Sequence, residues 1–233
     1  MIALIDGDVL CYQAAWGAEN LKEAEDRLSE ILDAVIENTF SNDHLIAIGG
    51  LSNFRELFFD GYKKSPARLK NKKTRPEWFN GLKTWLENLD NTVVAYDFEA
   101  NDLLRMWSIE AKMYDIDYII CTIDKDLDCI PGKHFKPGKD EFYSVTEDEA
   151  DIHYWKQILM GDSVDNIPGL PGIGEVKAMR ILKSCDNHNN RKAAVINEYK
   201  REYGDNWKEY LLSNGRLIHI WRHLNDHFRI GDD

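Results

Sequence analysis

The sequence predicts an α/β fold in which a mostly parallel central sheet is flanked by helices and followed by a C-terminal helical region. Short apolar runs alternate with helical runs over residues 1–150, as in parallel sheets joined by crossover helices. Residues 151–233 lack strand-like runs and have a helical pattern. Acidic residues follow three of the predicted strands. We therefore expect an α/β core over 1–150 and a helical region over 151–233.

Four strands are predicted from short runs rich in apolar and β-branched residues. The first run ends at Asp6, and the third is bounded by Asn91 and Asp97. Such runs are typical of strands buried in a parallel sheet. The predicted strands are Met1–Ile5, His44–Ile48, Thr92–Tyr96 and Asp117–Ile123.

Helices are predicted where apolar residues recur at steps of three and four. Pro76 favours a first helical turn, and Thr146 with Glu149 forms a capping-box signature for a helix that reaches Met160. His219, His223 and His227, at steps of four, are expected on one face of a terminal helix. The predicted helices are Glu19–Phe40, Pro76–Leu89, Ala100–Met113, 146–160, Glu175–Ser184 and at least two more.

The stretch Gly161–Ala178, G-D-S-V-D-N-I-P-G-L-P-G-I-G-E-V-K-A, is the most informative part of the chain. Its glycines allow the backbone to lie close to a large ligand. Successive N–H groups beside a helix N-terminus suit a phosphate. Asp162 and Asp165, three residues apart, precede the turn. Carboxylates beside a phosphate grip indicate metal-assisted chemistry on a phosphodiester, and the alternative is an ordinary loop between two helices.

Acidic residues stand at the carboxyl ends of three predicted strands, where parallel sheets bind ligands. Together they predict one acidic pocket, which Asp162 and Asp165 can close from the helical side. So many carboxylates repel one another unless cations neutralise them, and oxygen-only ligands favour Mg²⁺ or Mn²⁺. Each acid taken singly can instead be a turn or cap residue. The strand-end acids are Asp6, Asp8, Asp97, Glu99, Asp102, Asp124, Asp126 and Asp128.

The charge is unevenly distributed. The 233 residues carry a formal net charge of −12, although nucleic-acid-binding proteins are usually basic. One dense basic segment interrupts the acidic chain, and it predicts a phosphate contact or, alternatively, a solvated loop. Its basic residues are Arg55, Lys63, Lys64, Arg68, Lys70, Lys72, Lys73 and Arg75.

Other features exclude several classes of protein. The sequence lacks an apolar stretch of about 18 residues, so a membrane protein is not expected. The N-terminal run lacks a basic leader and a cleavage site, and the four cysteines lack C-x-x-C spacing. We therefore expect a cytoplasmic protein with reduced thiols, in a bacterial host cell if a phage encodes it.

The order of the motifs resembles that of the 5′ nuclease superfamily, which includes phage 5′–3′ exonucleases, flap endonucleases and the 5′ nuclease domain of bacterial DNA polymerase I. Four motifs occur here in the family's order: I-D-G-D, E-A-N-D, T-I-D-K-D-L and G-D-S-V-D-N-I-P-G. The glycine turn closely resembles the family's helix–three-turn–helix, here at about 151–185. F-R-E-L-F-F-D-G-Y-K-K is similar to the family's F-R-x-E-L…Y-K stretch, within a basic arch at about 55–90.

The resemblance implies a PIN-like core and a metal-dependent hydrolase that cuts DNA at 5′ ends, flaps or junctions without reading sequence. RNA–DNA hybrids are a further implied substrate, and a monomer is expected. It also implies two Mg²⁺ or Mn²⁺ ions, a lysine (Lys63) at the scissile phosphate, and a K⁺ ion held by the carbonyls of Leu170 and Ile173. The implied catalytic residues are Asp6, Lys63, Glu99, Asp102, Asp124 and Asp126; the implied metal ligands are Asp6, Glu99, Asn101, Asp102, Asp124, Asp126, Asp162 and Asp165.

DNA contacts are implied for two groups of residues. One is the basic segment with Tyr62, which either stacks on a base or packs in the core. The other is the glycine turn. The implied residues are Arg55, Tyr62, Lys63, Lys64, Arg68, Lys70, Lys72, Lys73, Arg75, Gly169, Gly172, Gly174 and Lys177.

Two positions depart from the family pattern. Gly49 and Gly50 stand where an aspartate is expected, and Asn101 replaces the first aspartate of E-A-D-D. These changes leave open the alternative that the chain binds DNA flaps or junctions and has little catalytic activity. A PIN-like ribonuclease is disfavoured by the long glycine turn, and a small-molecule phosphohydrolase by the turn and the basic segment together.

Overall fold

The computed structural model describes residues 1–66, 69–70 and 75–231. The described residues fall into two compact units. The predicted division after residue 150, and the predicted arch at about 55–90, stay predictions. The first unit holds the described parts of Met1–Asn53, Thr74–Val145 and Trp221–Leu224, and the second holds those of Phe54–Lys73, Thr146–Ile220 and Asn225–Asp233.

The first unit is built on a six-stranded sheet of order β3-β2-β1-β4-β5-β6. The first five strands run parallel, and β6 pairs antiparallel with β5. The predicted α/β fold with a mostly parallel sheet is therefore confirmed, and its last two strands were not predicted. The strands are β1 (Ile2–Asp6), β2 (Asp43–Gly49), β3 (Thr92–Ala95), β4 (Tyr118–Cys121), β5 (Gly132–Lys136) and β6 (Glu141–Val145).

Helices flank the sheet in the first unit and dominate the second. Short 3₁₀ helices occur at Lys125–Cys129 and Gly204–Asn206. The α-helices in the described ranges are α1 (Gly7–Ala15), α2 (Leu21–Thr39), α3 (Arg55–Phe58), α4 (Phe79–Glu87), α5 (Ala100–Met113), α6 (Glu147–Met160), α7 (Glu175–Leu182), α8 (His188–Tyr203) and α9 (Trp207–Ile218).

Of two predictions about the ends of helices, one is confirmed and one was wrong. Thr146 caps α6, since its hydroxyl accepts a 3.2 Å bond from the Glu149 N–H and a Glu149 carboxylate oxygen accepts a 2.8 Å bond from the Thr146 N–H. The predicted capping box is confirmed. The histidine prediction was wrong, because α9 ends at Ile218, before His219.

Each unit has its own apolar core. In the first, Ile5 of β1, Ile46 of β2 and Leu82 of α4 are fully buried. In the second, Trp155 of α6 and Tyr199 of α8 pack together with the glycine turn. None of the helices in the described ranges is both long and apolar enough to cross a membrane.

Candidate active site

The carboxyl ends of β1 and β4 bring Asp6 and Asp124 into one hydrogen-bond network through Thr122. Asp6 ends β1 and caps α1, with Oδ1 accepting a 3.3 Å bond from the Val9 N–H. Its Oδ2 accepts a 2.9 Å bond from the Thr122 hydroxyl. That hydroxyl oxygen in turn accepts a 3.0 Å bond from the Asp124 N–H. Thr122 therefore fixes both acids, a role that the sequence analysis missed.

Asp6 is the most electrostatically perturbed carboxylate of this network. Burial, together with the negative charges of Asp8 and Asp124, raises its pKa to about 7. Hydrogen bonds from Thr122 and Val9 oppose the rise. A buried carboxylate near two others has a geometry that a bound cation would stabilise.

Asp124 is held on both oxygens. Its Oδ1 accepts a 3.0 Å bond from the Asp126 N–H and so caps the 3₁₀ helix. Its Oδ2 accepts a 3.1 Å bond from the Asn101 amide. Asn101 and Asp124, which belong to two different motifs and share only the implied set of metal ligands, are therefore in direct contact. Asp126 is half-buried, and Asp128 accepts a 2.8 Å bond from the Tyr143 hydroxyl.

The start of α5 positions Glu99 and Asp102 differently. A Glu99 carboxylate oxygen accepts a 2.6 Å bond from the Asn53 amide. Asp102 is fully buried and its two oxygens accept bonds from the N–H groups of Glu99 and Trp221, each 2.8 Å long. These contacts favour a positioning role for Asp102. Its predicted metal ligation stays a prediction.

Asp8 lies in the first turn of α1, and its side chain contacts the end of β2. Its Oδ2 accepts a 3.1 Å bond from the Gly49 N–H, and its Oδ1 lies 3.0 Å from the Lys83 ammonium. Lys83 also donates to the Gly49 carbonyl. The sequence analysis did not identify Lys83 as a residue of this site. Lys83 lies on α4, next to the apolar positions of that helix.

In the second unit, the glycine turn joins α6 to α7 and is tied down from within. The Oδ1 atom of Asp162 accepts bonds from the N–H groups of Val164 (2.7 Å) and Asp165 (3.2 Å). The Asp162 backbone pairs with that of Ile167. That the segment forms a helix–three-turn–helix stays a prediction.

The carbonyls of Leu170 and Ile173 are predicted to hold K⁺. The side chains of both residues are buried in the second core. The Leu170 carbonyl accepts a 3.2 Å bond from the Ile173 N–H. Gly172, Gly174 and Lys177 are exposed, whereas Gly169 is buried against the end of α6. The turn therefore offers exposed backbone at Gly172 and Gly174.

Lys63 is linked to Asp165, one of the two acids of this turn. Its N–H donates a 2.9 Å bond to the Asp165 carbonyl, and its ammonium lies 3.8 Å from the Asp165 carboxylate. Tyr62 is 3% exposed and belongs to the second core. Burial favours the packing alternative for Tyr62, because a base needs an accessible ring face to stack on.

Arg55 was predicted to contact DNA, and the structure corrects this. Its side chain is 1% exposed and donates to the carbonyls of Leu217 (3.0 Å) and His219 (2.6 Å). The guanidinium therefore binds the carbonyls at the end of α9 within its own unit. Lys64, Lys70 and Arg75 are exposed, as a phosphate contact requires, and Arg68, Lys72 and Lys73 lie outside the described residues.

Curated relatives match most of the chain. DNA polymerase I of Bacillus subtilis is 28% identical over 211 residues, covering 80% of this chain and 23% of the polymerase. Flap endonuclease Xni of Shewanella amazonensis is 28% identical over 149 residues, covering 58% of this chain and 56% of Xni. A 5′-3′ exonuclease of Buchnera aphidicola is 26% identical over 215 residues, covering 81% and 72%. The chain thus spans about a quarter of the polymerase and about half of Xni. No protein-family model matches.

Solved structures share the fold. A bacteriophage T5 flap endonuclease, in a pseudo-enzyme–product complex with DNA and metal ions, superposes with a TM-score of 0.71 at 15% identity, over 94% of this chain and 88% of that one. T5 5′-exonuclease with bound zinc gives 0.69 at 17% identity, over 93% and 86%. The relatives and the shared fold confirm the resemblance drawn from the motifs: the chain is similar in sequence to a flap endonuclease and a 5′-3′ exonuclease, and it shares the fold of the T5 enzymes.

Proposed function

We propose that this chain is a metal-dependent, structure-specific 5′ nuclease, acting as a 5′–3′ exonuclease, a flap endonuclease or both, that hydrolyses DNA phosphodiesters. The observation that carries the proposal is the Asp6–Thr122–Asp124 network at the carboxyl ends of β1 and β4. It is the place where a parallel sheet binds its ligand. The names of the relatives, flap endonuclease and 5′-3′ exonuclease, support the same chemistry.

The residues of this network fit a hard divalent cation. Their side chains offer oxygen atoms from Asp6, Asp124, Glu99 and the Asn101 amide, which suits Mg²⁺ or Mn²⁺ better than a soft metal. Asp6 and Asp124 would hold the ion, and Asp126, after β4, belongs to the proposed set. The predicted metal ligation by Asp162 and Asp165 of the second unit stays a prediction. When two divalent cations are bound, they would supply the positive charge that phosphodiester hydrolysis needs at the attacking water and at the leaving oxygen.

The protein's own groups would prepare this site. Thr122 holds one oxygen of Asp6 by a 2.9 Å bond, so this carboxylate keeps one orientation. Burial of Asp6 excludes bulk water from its side chain. Lys63 would add positive charge at the scissile phosphate, where the transition state gains negative charge.

Substrate binding would be independent of sequence. The exposed N–H groups around Gly172 and Gly174 would bind the phosphate backbone, with K⁺ held at the carbonyls of Leu170 and Ile173. The exposed Lys64, Lys70, Arg75 and Lys177 would add phosphate contacts. The proposed substrates are DNA 5′ ends, flaps and junctions, and RNA–DNA hybrids, bound by a monomer. Affinity would fall steeply with salt.

A second candidate is a flap-binding protein with little catalysis. It is favoured by the 3.1 Å hydrogen bond from the Asn101 amide to Asp124. The amide brings no negative charge and directs an N–H donor at a carboxylate oxygen that would otherwise face a cation. In this candidate the wild-type chain binds flap DNA and cuts it slowly, and Asn101→Asp restores cutting.

The test is cleavage of a 5′-labelled flap duplex in Mg²⁺ by the wild-type chain, Asp124→Ala and a matched control, Asp117→Ala. Asp117 is an exposed aspartate that precedes the same strand β4 at the opposite end of the sheet. The proposal expects cutting by the wild type and the control and at least a hundredfold loss in Asp124→Ala, since removed catalytic groups typically cost about 10²–10⁴-fold. Cutting that survives Asp124→Ala would overturn it. Tight flap binding by all three, with no cutting, would favour the second candidate.

A further inference from the structure

The ammonium group of Lys83, a residue of α4, lies at the end of β2, the edge of the sheet where the proposed cations bind. The Lys83 ammonium lies 3.0 Å from Oδ1 of Asp8 and donates to the Gly49 carbonyl. The other Asp8 oxygen accepts a 3.1 Å bond from the Gly49 N–H. The Asp8 carboxylate therefore binds the N–H group of Gly49, and the Lys83 ammonium binds the carbonyl of the same residue.

The packing of α4 fixes this lysine. Leu82 and Leu86 are fully buried in the first core, and Phe79 is nearly so. Lys83 follows Leu82 and lies one turn after Phe79, with its ammonium 5.9 Å from the centroid of the phenyl ring. Its side chain is 18% exposed. A lysine stem held along apolar surface places its charge reproducibly.

The corner where the resemblance leads one to expect an aspartate is crowded by the backbone of β3 and by the Asp8 side chain. A Cβ atom added to Gly50 would lie 2.3 Å from the Ala95 carbonyl oxygen of β3, a backbone atom. A Cβ atom added to Gly49 would lie 2.9 Å from Oδ2 of Asp8. The Asp8 carboxylate therefore fills the space beside residue 49, and the backbone of β3 closes the space beside residue 50.

We propose that Lys83 is a fixed counter-ion that neutralises Asp8 and thereby limits how strongly the strand-end acids attract divalent cations. The inference rests on the proposed function, because it concerns the cation site of that function. Asp8 is close enough to Asp6 to act on its charge. With Lys83 in place, Asp8 adds little net negative charge to the site; without it, a full carboxylate faces the cations.

The experiment measures Mn²⁺ binding by titration calorimetry, without DNA, for the wild-type chain, Lys83→Gln, Lys83→Met and Lys83→Arg. Lys136→Gln is the matched control, because Lys136 of β5 also forms an ion pair, 2.9 Å from Glu141. Both control and test lose one lysine charge from the same unit. The double variant Asp8→Asn/Lys83→Gln removes both members of the pair. Thermal melting checks that each variant is folded.

We expect Lys83→Gln and Lys83→Met to bind Mn²⁺ roughly threefold tighter or more, as the loss of a nearby positive charge predicts. Lys83→Arg and Lys136→Gln should bind as the wild type does, and the double variant should return to within about twofold of it. If one of the variants Lys83→Gln and Lys83→Met does not fold, the other is sufficient for the test. Unchanged Mn²⁺ affinity in a folded Lys83→Gln or Lys83→Met would overturn the inference.

The two proposals fail in different ways. If the wild type cuts flap DNA while the Lys83 variants bind Mn²⁺ no tighter than Lys136→Gln, only the counter-ion role is lost. If Asp124→Ala still cuts DNA while Lys83→Gln binds Mn²⁺ more tightly, only the proposed nuclease site is lost.

Discussion

The amide of Asn101 donates a 3.1 Å hydrogen bond to Oδ2 of Asp124, across the gap between the start of α5 and the end of β4. A carboxylate at position 101 would place two negative charges at this distance, and such a pair keeps both charges only with a cation between them. The asparagine therefore lets the network keep its geometry without an ion. The cost is one fewer charged ligand when an ion binds.

Asn101→Asp should reverse this balance. We expect the Mg²⁺ concentration for half-maximal flap cleavage to fall by about tenfold, because the variant supplies a further anionic oxygen ligand. In EDTA the free energy of unfolding should fall by about 1–2 kcal/mol through repulsion between residues 101 and 124. Mg²⁺ titrations of cleavage and urea unfolding in EDTA measure the two effects. Asn101→Ala, which loses the bond without adding charge, is the control and should show no gain in Mg²⁺ affinity.

Thr122→Val should damage both stability and activity. The substitution keeps the shape of the side chain but removes the donor to Asp6 and the acceptor for the Asp124 N–H. Because Thr122 is fully buried, we expect a loss of about 1–3 kcal/mol in urea unfolding. Cleavage should slow at least tenfold as Asp6 loses its orientation. Thr122→Ser keeps the hydroxyl and should retain most of the stability and most of the cleavage rate. Equal damage from serine and valine would show that the methyl group, rather than the hydrogen bonds, matters.

The metal-free protein should lose stability as the pH rises from about 4 to about 7. Asp6 has a pKa of about 7 in the folded state against an ordinary value of 3.8, so over this range the folded state binds the proton that the unfolded state has released. Its stabilising contribution is complete below the unfolded pKa and is lost as the pH passes the folded pKa. The loss is on the order of 1–4 kcal/mol. Urea unfolding in EDTA at several pH values measures it.

Asp6→Asn is the control for this effect, because an amide does not titrate. Its stability should change less than that of the wild type between pH 4 and pH 7. Saturating Mg²⁺ should also flatten the wild-type curve, since a bound cation favours the charged carboxylate. A wild-type curve that rises over the same range would contradict the assignment of the shift to Asp6.

The sequence predicted the parts of the site that depend on local pattern. Asp6 and Asp124 follow apolar strands, and parallel pairing of β1 with β4 brings the two strand ends side by side. The capping box at Thr146 is a local signal and was also confirmed. These features could be predicted because hydrogen bonding between neighbouring strands and within a helix turn follows directly from the residue pattern.

Contacts that depend on tertiary packing could not be predicted. Arg55 appeared within a basic run, yet it binds carbonyls more than 160 residues later in the chain. The pairing of Lys83 with Asp8 depends on how α4 packs in the first core, which periodicity does not reveal. The β5–β6 hairpin had a usable signal, the turn residues Pro137 and Gly138, but alternation in β5 is weak because His134 and Phe135 are both buried.

Gly169 and Gly172 offer a matched test of the glycine turn. Both have positive φ, +61° and +69°, so alanine at either position is strained by about 1–2 kcal/mol. At Gly169 an added Cβ atom would lie 2.2 Å from the Met160 carbonyl carbon at the end of α6, whereas at Gly172 it would meet nothing within 4 Å. Backbone atoms cannot move aside as a flexible side chain can.

We therefore expect Gly172→Ala to lower the free energy of unfolding by about 1–2 kcal/mol and Gly169→Ala by at least about 3 kcal/mol, because the second variant must separate the turn from α6. Urea unfolding compares them. Flap affinity provides the second measurement: Gly172→Ala stays folded but alters exposed backbone, so weaker flap binding at unchanged Mn²⁺ affinity would place the phosphate contact at the turn. Equal losses of stability would mean that strain at positive φ, rather than the close approach to Met160, decides the need for glycine.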